Sequence, residues 1–267
     1  MSGLVAFDGA AIRRWNRAAK EALRDSERFV VTRIHGFRTY RQRTARAEEL
    51  CDVLLADPDR FLEEGDLLAG RGNSCRIGRV LIAGRVYVLK RYDRRGWVYS
   101  LRHVFKRSRA LRTWLTAWNL RVRGFSVAEP LICFEERSWR LLGRSYILSE
   151  YLQGWQPLTT FWEALTAPEK PLLVTQAAAL LGALHRAACI HGDTNWDNLL
   201  VRRAEEGFAF SLVDFDCARI LAKPDPRRAR RDIGHFLRDL DRLEPSAGGL
   251  KTLFIERWQC AGGFIGA

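Results

Sequence analysis

The pattern of apolar residues changes near Leu152, and this change limits the folds that the chain can adopt. Before it, short segments rich in β-branched or large apolar residues alternate with glycines, as in Ile77 to Ile82 and Arg85 to Arg91. This pattern predicts a small antiparallel sheet. After it, apolar residues recur at helical spacing over Leu172 to Arg186. The sequence therefore predicts an α+β protein in which a sheet-rich half precedes a helix-rich half.

The other predicted elements follow the same division. They are strands at Leu67–Ala69, Pro130–Glu135 and Leu141–Leu152, a polar turn at Glu136–Ser138, helices over residues 10–25 and 110–123 and from 228 onward, and a hairpin of Leu199–Arg202 with Phe208–Val213. We expect a partly helical N-terminal extension over residues 1–56, a sheet lobe over 57–150 and a mainly helical lobe over 151–267. This is the bilobal order of protein-kinase-like folds.

One loop in the helical half carries the residues that phosphoryl transfer requires. His191-Gly192-Asp193 follows an apolar helix, and Asn198 comes five residues after the aspartate, directly before a strand. Asp214 ends the next strand, sixteen residues after Asn198. A carboxylate can orient an attacking hydroxyl and accept its proton, and carboxylate and amide oxygens are suitable ligands for Mg²⁺. The spacing therefore predicts Asp193 as the catalytic base and Asn198 and Asp214 as metal ligands.

The sheet half carries candidates for nucleotide binding. Lys90 ends an apolar strand, the position from which a kinase lysine contacts the phosphates of ATP. Gly70, Gly72, Asn73 and Ser74 belong to a turn that can cover phosphates, although the turn is shorter than GxGxxG and by itself predicts only a hairpin. The backbone from Glu150 to Leu152, between the lobes, is the expected adenine site. ATP and Mg²⁺ are the predicted cofactors.

The formal net charge of +13 predicts a surface that attracts polyanions. Between Arg91 and Arg112 there are eight basic residues and one acid, interleaved with aromatic residues. This stretch is suited to a phosphorylated glycolipid at a membrane surface, but a solvated helix face would have the same composition, and both interpretations remain open. No known nucleic-acid-binding motif occurs, so no nucleic-acid partner is expected.

The six cysteines are scattered without a CxxC pair, which predicts reduced, mostly buried thiols. No apolar run is long enough to span a membrane, and charged residues occupy the place of a signal peptide's apolar stretch. We therefore expect a cytoplasmic protein, with peripheral contact at the cytoplasmic face of the inner membrane as an open alternative. The basic amphipathic helix over residues 10–25 could lie on a membrane or pack on the domain.

From about Asp57 to Leu240 the chain resembles the lipopolysaccharide core kinases of Gram-negative bacteria, which phosphorylate heptose or Kdo sugars using ATP. The motifs that carry the resemblance are Gly72-Asn73-Ser74, Val88–Tyr92, Ser108–Ala110, Gly124–Pro130, Leu184-His185, the HGD loop, Leu212–Asp216 and Arg231–Ile233. The HGD loop is shared with aminoglycoside and choline phosphotransferases. The resemblance implies the same roles for Asp193, Asn198, Asp214 and Lys90, and a lipopolysaccharide core sugar as the acceptor.

The chain departs from the pattern of related kinases in three places: the predicted helix before Gly124, Cys189, where such sequences often have glycine, and Asp216. The predicted helix before Gly124 has no acidic residue to pair with Lys90, which leaves a pseudokinase open as an alternative. Asp216 replaces the glycine of a protein kinase's DFG motif and can add a carboxylate near the metal. Gly192 precedes the catalytic aspartate where switched protein kinases have an arginine that binds a phosphate, so a regulated protein kinase is disfavoured.

The acceptor class has a second alternative, a small-molecule phosphotransferase of the aminoglycoside or choline type. Such an enzyme needs an acidic pocket for its cationic substrate. The helical half is instead rich in arginine, including Arg227, Arg228, Arg230 and Arg231. The charge therefore favours an anionic acceptor.

Overall fold

The computed structural model describes residues 9–70, 74–93, 107–138, 141–245 and 248–264. The chain forms two compact units. The sheet unit comprises Arg17–Trp118 and Ala128–Leu152, and the helical unit comprises the chain up to Asn16, Asn119–Val127 and the chain from Gln153 onward. An antiparallel sheet in one unit and mostly helices in the other confirm the predicted α+β class.

The sheet unit is built on seven antiparallel strands in the order β1-β2-β6-β7-β5-β4-β3. The strands are β1 (Phe29–Ile34), β2 (Phe37–Gln42), β3 (Asp66–Gly70), β4 (Cys75–Ile82), β5 (Arg85–Tyr92), β6 (Pro130–Ser138) and β7 (Leu141–Glu150). The first two strands lie in the segment expected to be an extension before residue 57. They form a hairpin around His35-Gly36, where both residues have positive φ, and β2 pairs with β6. Residues 29–42 are therefore part of the sheet.

The N-terminal helix α1 (Gly9–Lys20) continues as a 3₁₀ turn (Glu21–Leu23). Helices cover both faces of the sheet: α2 (Ala45–Ala56) and α3 (Pro58–Glu64) lie on one face and α4 (Arg109–Val122) lies on the other. Leucines of α2 and α3 pack on the face that includes Leu89, and Trp114 and Trp118 of α4 pack on the face that includes Tyr92. Ile12, Ala19 and Ala22 of the N-terminal helical segment are buried, so this segment packs on the protein.

The prediction of a polar turn at Glu136–Ser138 was wrong. β6 continues through Ser138, which pairs with Leu141, and a bulge lies between Glu135 and Arg137. The Glu136 carboxylate accepts hydrogen bonds from the backbone amide and the guanidinium of Arg144 on β7. Because Arg144 satisfies the Glu136 carboxylate across the ladder, a charged residue at this position does not end the strand.

The described part of the helical unit contains three longer helices, and short strands surround the loop that carries Asp193. The elements are β8 (Gln156–Pro157), α5 (Leu158–Glu163), α6 (Glu169–Arg186), β9 (Cys189–Ile190), a 3₁₀ turn (Trp196–Asn198), β10 (Leu199–Ala204), β11 (Gly207–Leu212), β12 (Arg219–Ile220), α7 (Pro226–Leu243) and α8 (Gly248–Gly262). A Cβ at Gly182 of α6 would lie 2.7 Å from the Trp258 carbonyl oxygen, so glycine permits the close approach of α6 and α8.

Four cysteines are buried, and Cys217 and Cys260 are exposed. No helix among the described residues is long and apolar enough to cross a membrane. Burial raises the pKa of the Cys51 and Cys189 thiols to about 11, so both remain protonated near neutral pH.

Candidate active site

The loop between β9 and β10 holds Asp193 and Asn198 close together. The Asn198 side-chain amide donates to the Asp193 carbonyl oxygen at 2.9 Å, and the Asn195 side-chain amide donates to Asp193 Oδ1 at 3.0 Å. Asn195 Oδ1 also caps the 3₁₀ turn by accepting from the Asn198 backbone amide at 3.1 Å. Because the Asn198 NH₂ group is used inside the loop, its Oδ1 is the atom suited to binding a cation.

Asp232 of α7 anchors the backbone of this loop. Its two carboxylate oxygens accept from the backbone amides of His191 and Gly192, each at 2.8 Å, and the Thr194 hydroxyl donates to its carbonyl. Burial raises the pKa of Asp232, but the hydrogen bond from His185 and the neighbouring amides outweigh burial and leave the pKa below its usual value. A buried, ionised aspartate therefore fixes the loop directly before Asp193.

His185 of α6 supplies a third donor to Asp232, with its Nε2 3.0 Å from the carboxylate. Trp258 of α8 donates its indole N–H to His185 Nδ1 at 2.8 Å. An indole nitrogen only donates, so Nδ1 accepts and the ring proton lies on Nε2. The Asp232 anchor is thus held by a histidine that a tryptophan orients, and these contacts link α6 and α8 to α7.

The next turns of α7 hold the rest of the loop. Asp239 accepts from the Trp196 backbone amide at 2.9 Å, and the Trp196 indole donates to the Phe236 carbonyl at 3.1 Å. His235 Nδ1 lies 3.4 Å from Asp193 Oδ1 and 2.7 Å from a guanidinium nitrogen of Arg238. The sequence analysis did not identify these positions. Their spacing of three or four residues, which places them on adjoining parts of one helix surface, was the available signal.

Gly192 is required by the backbone itself. Its φ is +84°, and an added Cβ would lie 2.5 Å from the Cys217 carbonyl oxygen. The close approach arises because β12, which follows Cys217, pairs with β9. The backbone conformation and the close approach of Cys217 therefore both require glycine at position 192, whether or not a phosphate-binding arginine would be useful there.

The end of β11 brings Asp214 to the same loop. The Val213 amide donates to the Asn198 carbonyl at 3.1 Å, and His191 Nε2 lies 2.9 Å from the Val213 carbonyl oxygen. Asp214 itself has φ +59°, a conformation that costs energy for a non-glycine residue and is often retained at functional sites. Asp216 follows on the same turn and is half-buried. The three predicted metal ligands thus lie on two chain segments that a backbone hydrogen bond joins.

His191 stabilises this junction as a neutral ring. A carbonyl only accepts hydrogen bonds, so Nε2 carries the proton that is donated to Val213. Burial lowers the pKa of His191, with nearby carboxylates acting in the opposite direction. Its ring also contacts Phe215 edge-on at 5.6 Å between centroids. The histidine therefore holds the loop and the Asp214 turn together.

Lys90 lies on β5 in the sheet unit and is only 8% exposed. It pairs with Ile77 of β4 and Ile147 of β7, and its Nζ lies 5.1 Å from the centre of the Tyr92 ring. The Tyr92 hydroxyl in turn lies 3.1 Å from the hydroxyl of Thr113 on α4. The sheet register and an aromatic neighbour therefore position the lysine.

The helix α4 has no acidic residue, as the sequence indicated. The register places Glu135 of β6 and Tyr92 opposite the same residue of β7, Ser145, so Glu135 lies on the sheet face that carries Lys90. Its side chain is fully buried. Sequence reasoning missed this carboxylate because it sought the acid in a helix, whereas the strand pairing was the signal that would have located it.

The other predicted nucleotide contacts lie at two strand ends. Gly70 pairs with Arg76, and Ser74 directly precedes β4, so their turn joins β3 to β4, while Gly72 and Asn73 lie outside the described residues. The Glu150 backbone amide donates a hydrogen bond to the Glu129 carbonyl oxygen at 3.0 Å. Among the described residues, the Leu152 backbone makes no hydrogen bond.

The chain matches the model of one protein family and is similar in fold to a solved structure. The Lipopolysaccharide kinase (Kdo/WaaP) family model matches residues 68–252. A solved structure described as WaaP in complex with acyl carrier protein aligns with a TM-score of 0.60 and 20% identity, covering 79% of this chain and 86% of that chain. At that identity the likeness shows the protein-kinase-like fold. No curated protein sequence matches the chain. Since the family model covers more than half of the sequence, the chain belongs to the lipopolysaccharide kinase family.

Proposed function

We propose that this protein transfers the γ-phosphoryl group of ATP to a sugar hydroxyl of the lipopolysaccharide inner core, on heptose or Kdo. The observation that carries the proposal is the catalytic loop, in which Asp193 is half-buried while its backbone is fixed through Asn198 and Asp232. A kinase must hold its base in a defined position, because positioning and electrostatics provide most of the rate enhancement in phosphoryl transfer.

Asp193 acts on the acceptor in this proposal. Its Oδ1 already receives a hydrogen bond from Asn195 at 3.0 Å, which orients the carboxylate and leaves Oδ2 for the incoming hydroxyl. The carboxylate aligns that hydroxyl and accepts its proton as the phosphoryl group transfers. His235, 3.4 Å from the same oxygen, lies beside this carboxylate.

The donor set at the loop fits magnesium. Asn198 Oδ1 and the carboxylates of Asp214 and Asp216 are oxygen ligands, which Mg²⁺ prefers, and the structure already commits the Asn198 nitrogen to Asp193. When bound, the ion neutralises charge on the phosphates of ATP. These residues hold it, and the Asn198–Val213 backbone bond keeps their two chain segments together.

The sheet unit supplies the nucleotide contacts in this proposal. Lys90 binds the α- and β-phosphates, the turn containing Gly70, Gly72, Asn73 and Ser74 covers them, and the backbone of Glu150 to Leu152 binds adenine. The burial of Lys90 supports its part, because an ammonium held in a sheet reaches a phosphate with little loss of side-chain entropy.

An anionic acceptor agrees with the charge of the chain, since the described residues of α7 and the segment before it include five cations around one concave surface. A cationic aminoglycoside or choline would be repelled there. We also propose that the protein lies in the cytoplasm with peripheral contact at the cytoplasmic face of the inner membrane, because a basic surface is attracted to anionic lipids.

The proposal is tested by incubating the purified protein with ATP, Mg²⁺ and core oligosaccharide from cells lacking this gene, followed by mass spectrometry. We expect one added phosphate on heptose or Kdo, lost on omitting Mg²⁺ and in Asp214→Asn. Phosphorylation of only a soluble amino sugar would support the small-molecule alternative. ATP binding without transfer to any acceptor would support a pseudokinase.

A further inference from the structure

A basic concave surface of about 920 Å³ lies in the helical unit, formed by the segment from Leu221 and the first turns of α7. Five cations line it against one acid: Lys223, Arg227, Arg228, Arg230, Arg231 and Asp225. The acid is already used, because its Oδ1 caps α7 by accepting from the Arg228 amide at 3.1 Å and its Oδ2 pairs with the Arg228 guanidinium at 3.2 Å. The surface thus carries an excess of positive charge.

Three of these cations are available to a ligand. Lys223, Arg227 and Arg231 are exposed, and none of them forms an ion pair within the part of the chain that the structure describes. Salt screens charges only beyond the Debye length, which is about 8 Å at physiological salt, so neighbouring cations on this surface repel one another. A bound anion removes that repulsion, and guanidinium groups match the geometry of phosphate and carboxylate oxygens.

The position of this surface relative to Asp193 follows from helix geometry. Arg227, Arg231 and His235 follow one another at intervals of four residues, so they lie along one side of α7 about 6 Å apart in axial rise. His235 contacts Asp193 at 3.4 Å. His235 lies beside the proposed base, Arg231 lies about one helical turn before His235, and Arg227 lies about two turns before it.

The same segment is tied at one end to the chain directly before β9 and at the other end to the loop. The Leu221 amide donates to the Ala188 carbonyl at 2.8 Å, following the β12–β9 pairing, and Asp232 binds the loop backbone directly after Arg231. The concave surface and Asp193 thus belong to one hydrogen-bonded structure. Its spacing from the base is fixed, as a binding site for a second group of the same substrate requires.

We propose that Arg227 and Arg231, with Lys223, bind an anionic substituent of the acceptor, a phosphate or a sugar carboxylate, located away from the hydroxyl that is phosphorylated. This inference rests on the proposed function and extends it, because it makes an acidic group on the acceptor a determinant of specificity. The arginines bind and orient the acceptor, and they take no part in proton transfer.

The test uses core oligosaccharide from cells lacking this gene in three forms: untreated, with carboxyl groups reduced to alcohols, and with remaining phosphates removed. The variants are Arg227→Gln, Arg231→Gln and both together. Arg257→Gln, an exposed arginine on α8, is the matched control. The double variant should raise the KM for the untreated acceptor about tenfold while leaving kcat and the KM for ATP within about twofold.

The acceptor form on which the variants lose their effect identifies the bound anion as phosphate or carboxylate. An equal effect on all three forms, or an effect no larger than that of Arg257→Gln, would overturn the inference. Normal kinetics with the soluble acceptor, combined with weaker binding to vesicles of anionic phospholipid, would make the surface a membrane contact and would also overturn it.

If the proposed function fails, the anion site is tested separately by measuring binding. If the wild type phosphorylates none of the three forms, their binding is measured by calorimetry with the same variants. Tighter binding of the untreated form by the wild type, reduced about tenfold in the double variant, would uphold the anion site without the kinase assignment. Equal binding of all forms by all variants would reject it.

Discussion

The loop that carries Asp193 and the strand that carries Lys90 are held in place by different kinds of contact. Buried hydrogen bonds that the loop amides donate to the Asp232 carboxylate hold the loop, whereas the sheet register and the ring of Tyr92 position the lysine. Removing one partner of a buried charged hydrogen bond costs more than removing one contact in an apolar layer that can repack. We therefore expect the loop to tolerate single substitutions poorly and the lysine's surroundings to tolerate them better.

The largest expected effect is at the proposed base. Asp193→Asn should lower the rate of phosphoryl transfer by about 10²–10⁴-fold, because the amide cannot accept the hydroxyl proton. Asp197→Asn, an exposed carboxylate in the same loop, should stay within about twofold. Rapid-quench kinetics measures both, and equal rates for the two variants would remove Asp193 from catalysis.

The next effect concerns the anchor of the loop. Asp232→Asn replaces one acceptor oxygen by a donor that faces the donors of the loop, and should lower the free energy of unfolding by about 3 kcal/mol. Asp241→Asn breaks only an exposed pair with Lys251 and should cost less than about 1 kcal/mol. Urea denaturation compares them, and similar values would show that α7 does not anchor the loop.

Substitution of two glycines distinguishes the cost of a positive φ from the cost of a steric clash. Gly192 and Gly124 have nearly equal φ, +84° and +85°, but only at Gly192 does an added Cβ meet other atoms. Gly124→Ala should cost about 1 kcal/mol and Gly192→Ala about 2 kcal/mol more, with lower activity only in the latter. Thermal unfolding of the two variants tests this, and equal losses would mean that Cys217 yields without cost.

Acid should lower the stability of the protein through His191, which holds the loop. The folded-state pKa of His191 lies below 6.5, so its contribution is present above pH 6.5 and is lost as the pH falls below that value. Unfolding free energy should fall by about 1 kcal/mol per pH unit in that window. His191→Asn should flatten this slope, whereas His35→Asn, in the exposed β1–β2 turn, should retain it. An unchanged slope in His191→Asn would assign the effect to other groups.

The smallest effect is expected beside Lys90. Tyr92→Phe removes the hydroxyl contact with Thr113 and should cost about 1 kcal/mol of stability, with the KM for ATP changed less than about threefold, because the ring beneath the ammonium remains. A tenfold rise in that KM would show that the hydroxyl positions the lysine, and the contrast between the two regions would disappear.

The proximity of the motif residues was predictable because it depends on local chain order. Asn198 directly precedes the β10–β11 hairpin, Asp214 follows it closely, and Asp193 lies five residues before Asn198. The contacts made by Asp232, about forty residues further along, depend on helix packing that no local pattern reports. The role of each predicted site residue remains a proposal.

The strands that sequence reasoning missed have a different cause. Arg33, Arg38 and Arg41 interrupt the apolar alternation of β1 and β2, although the His35-Gly36 turn was a hairpin signal. The basic aromatic stretch between Arg91 and Arg112 falls largely on residues 94–106, which lie outside the described residues. Its function stays a prediction.

The central claim is that the chain is an active kinase although α4 offers Lys90 no acid. A single-turnover experiment with labelled ATP, Mg²⁺ and core oligosaccharide tests it most directly. The account predicts labelled oligosaccharide from the wild type, none without Mg²⁺, and a rate at least about 10²-fold lower in Asp193→Asn. Wild-type protein that binds ATP but transfers no more label than Asp193→Asn would contradict the account.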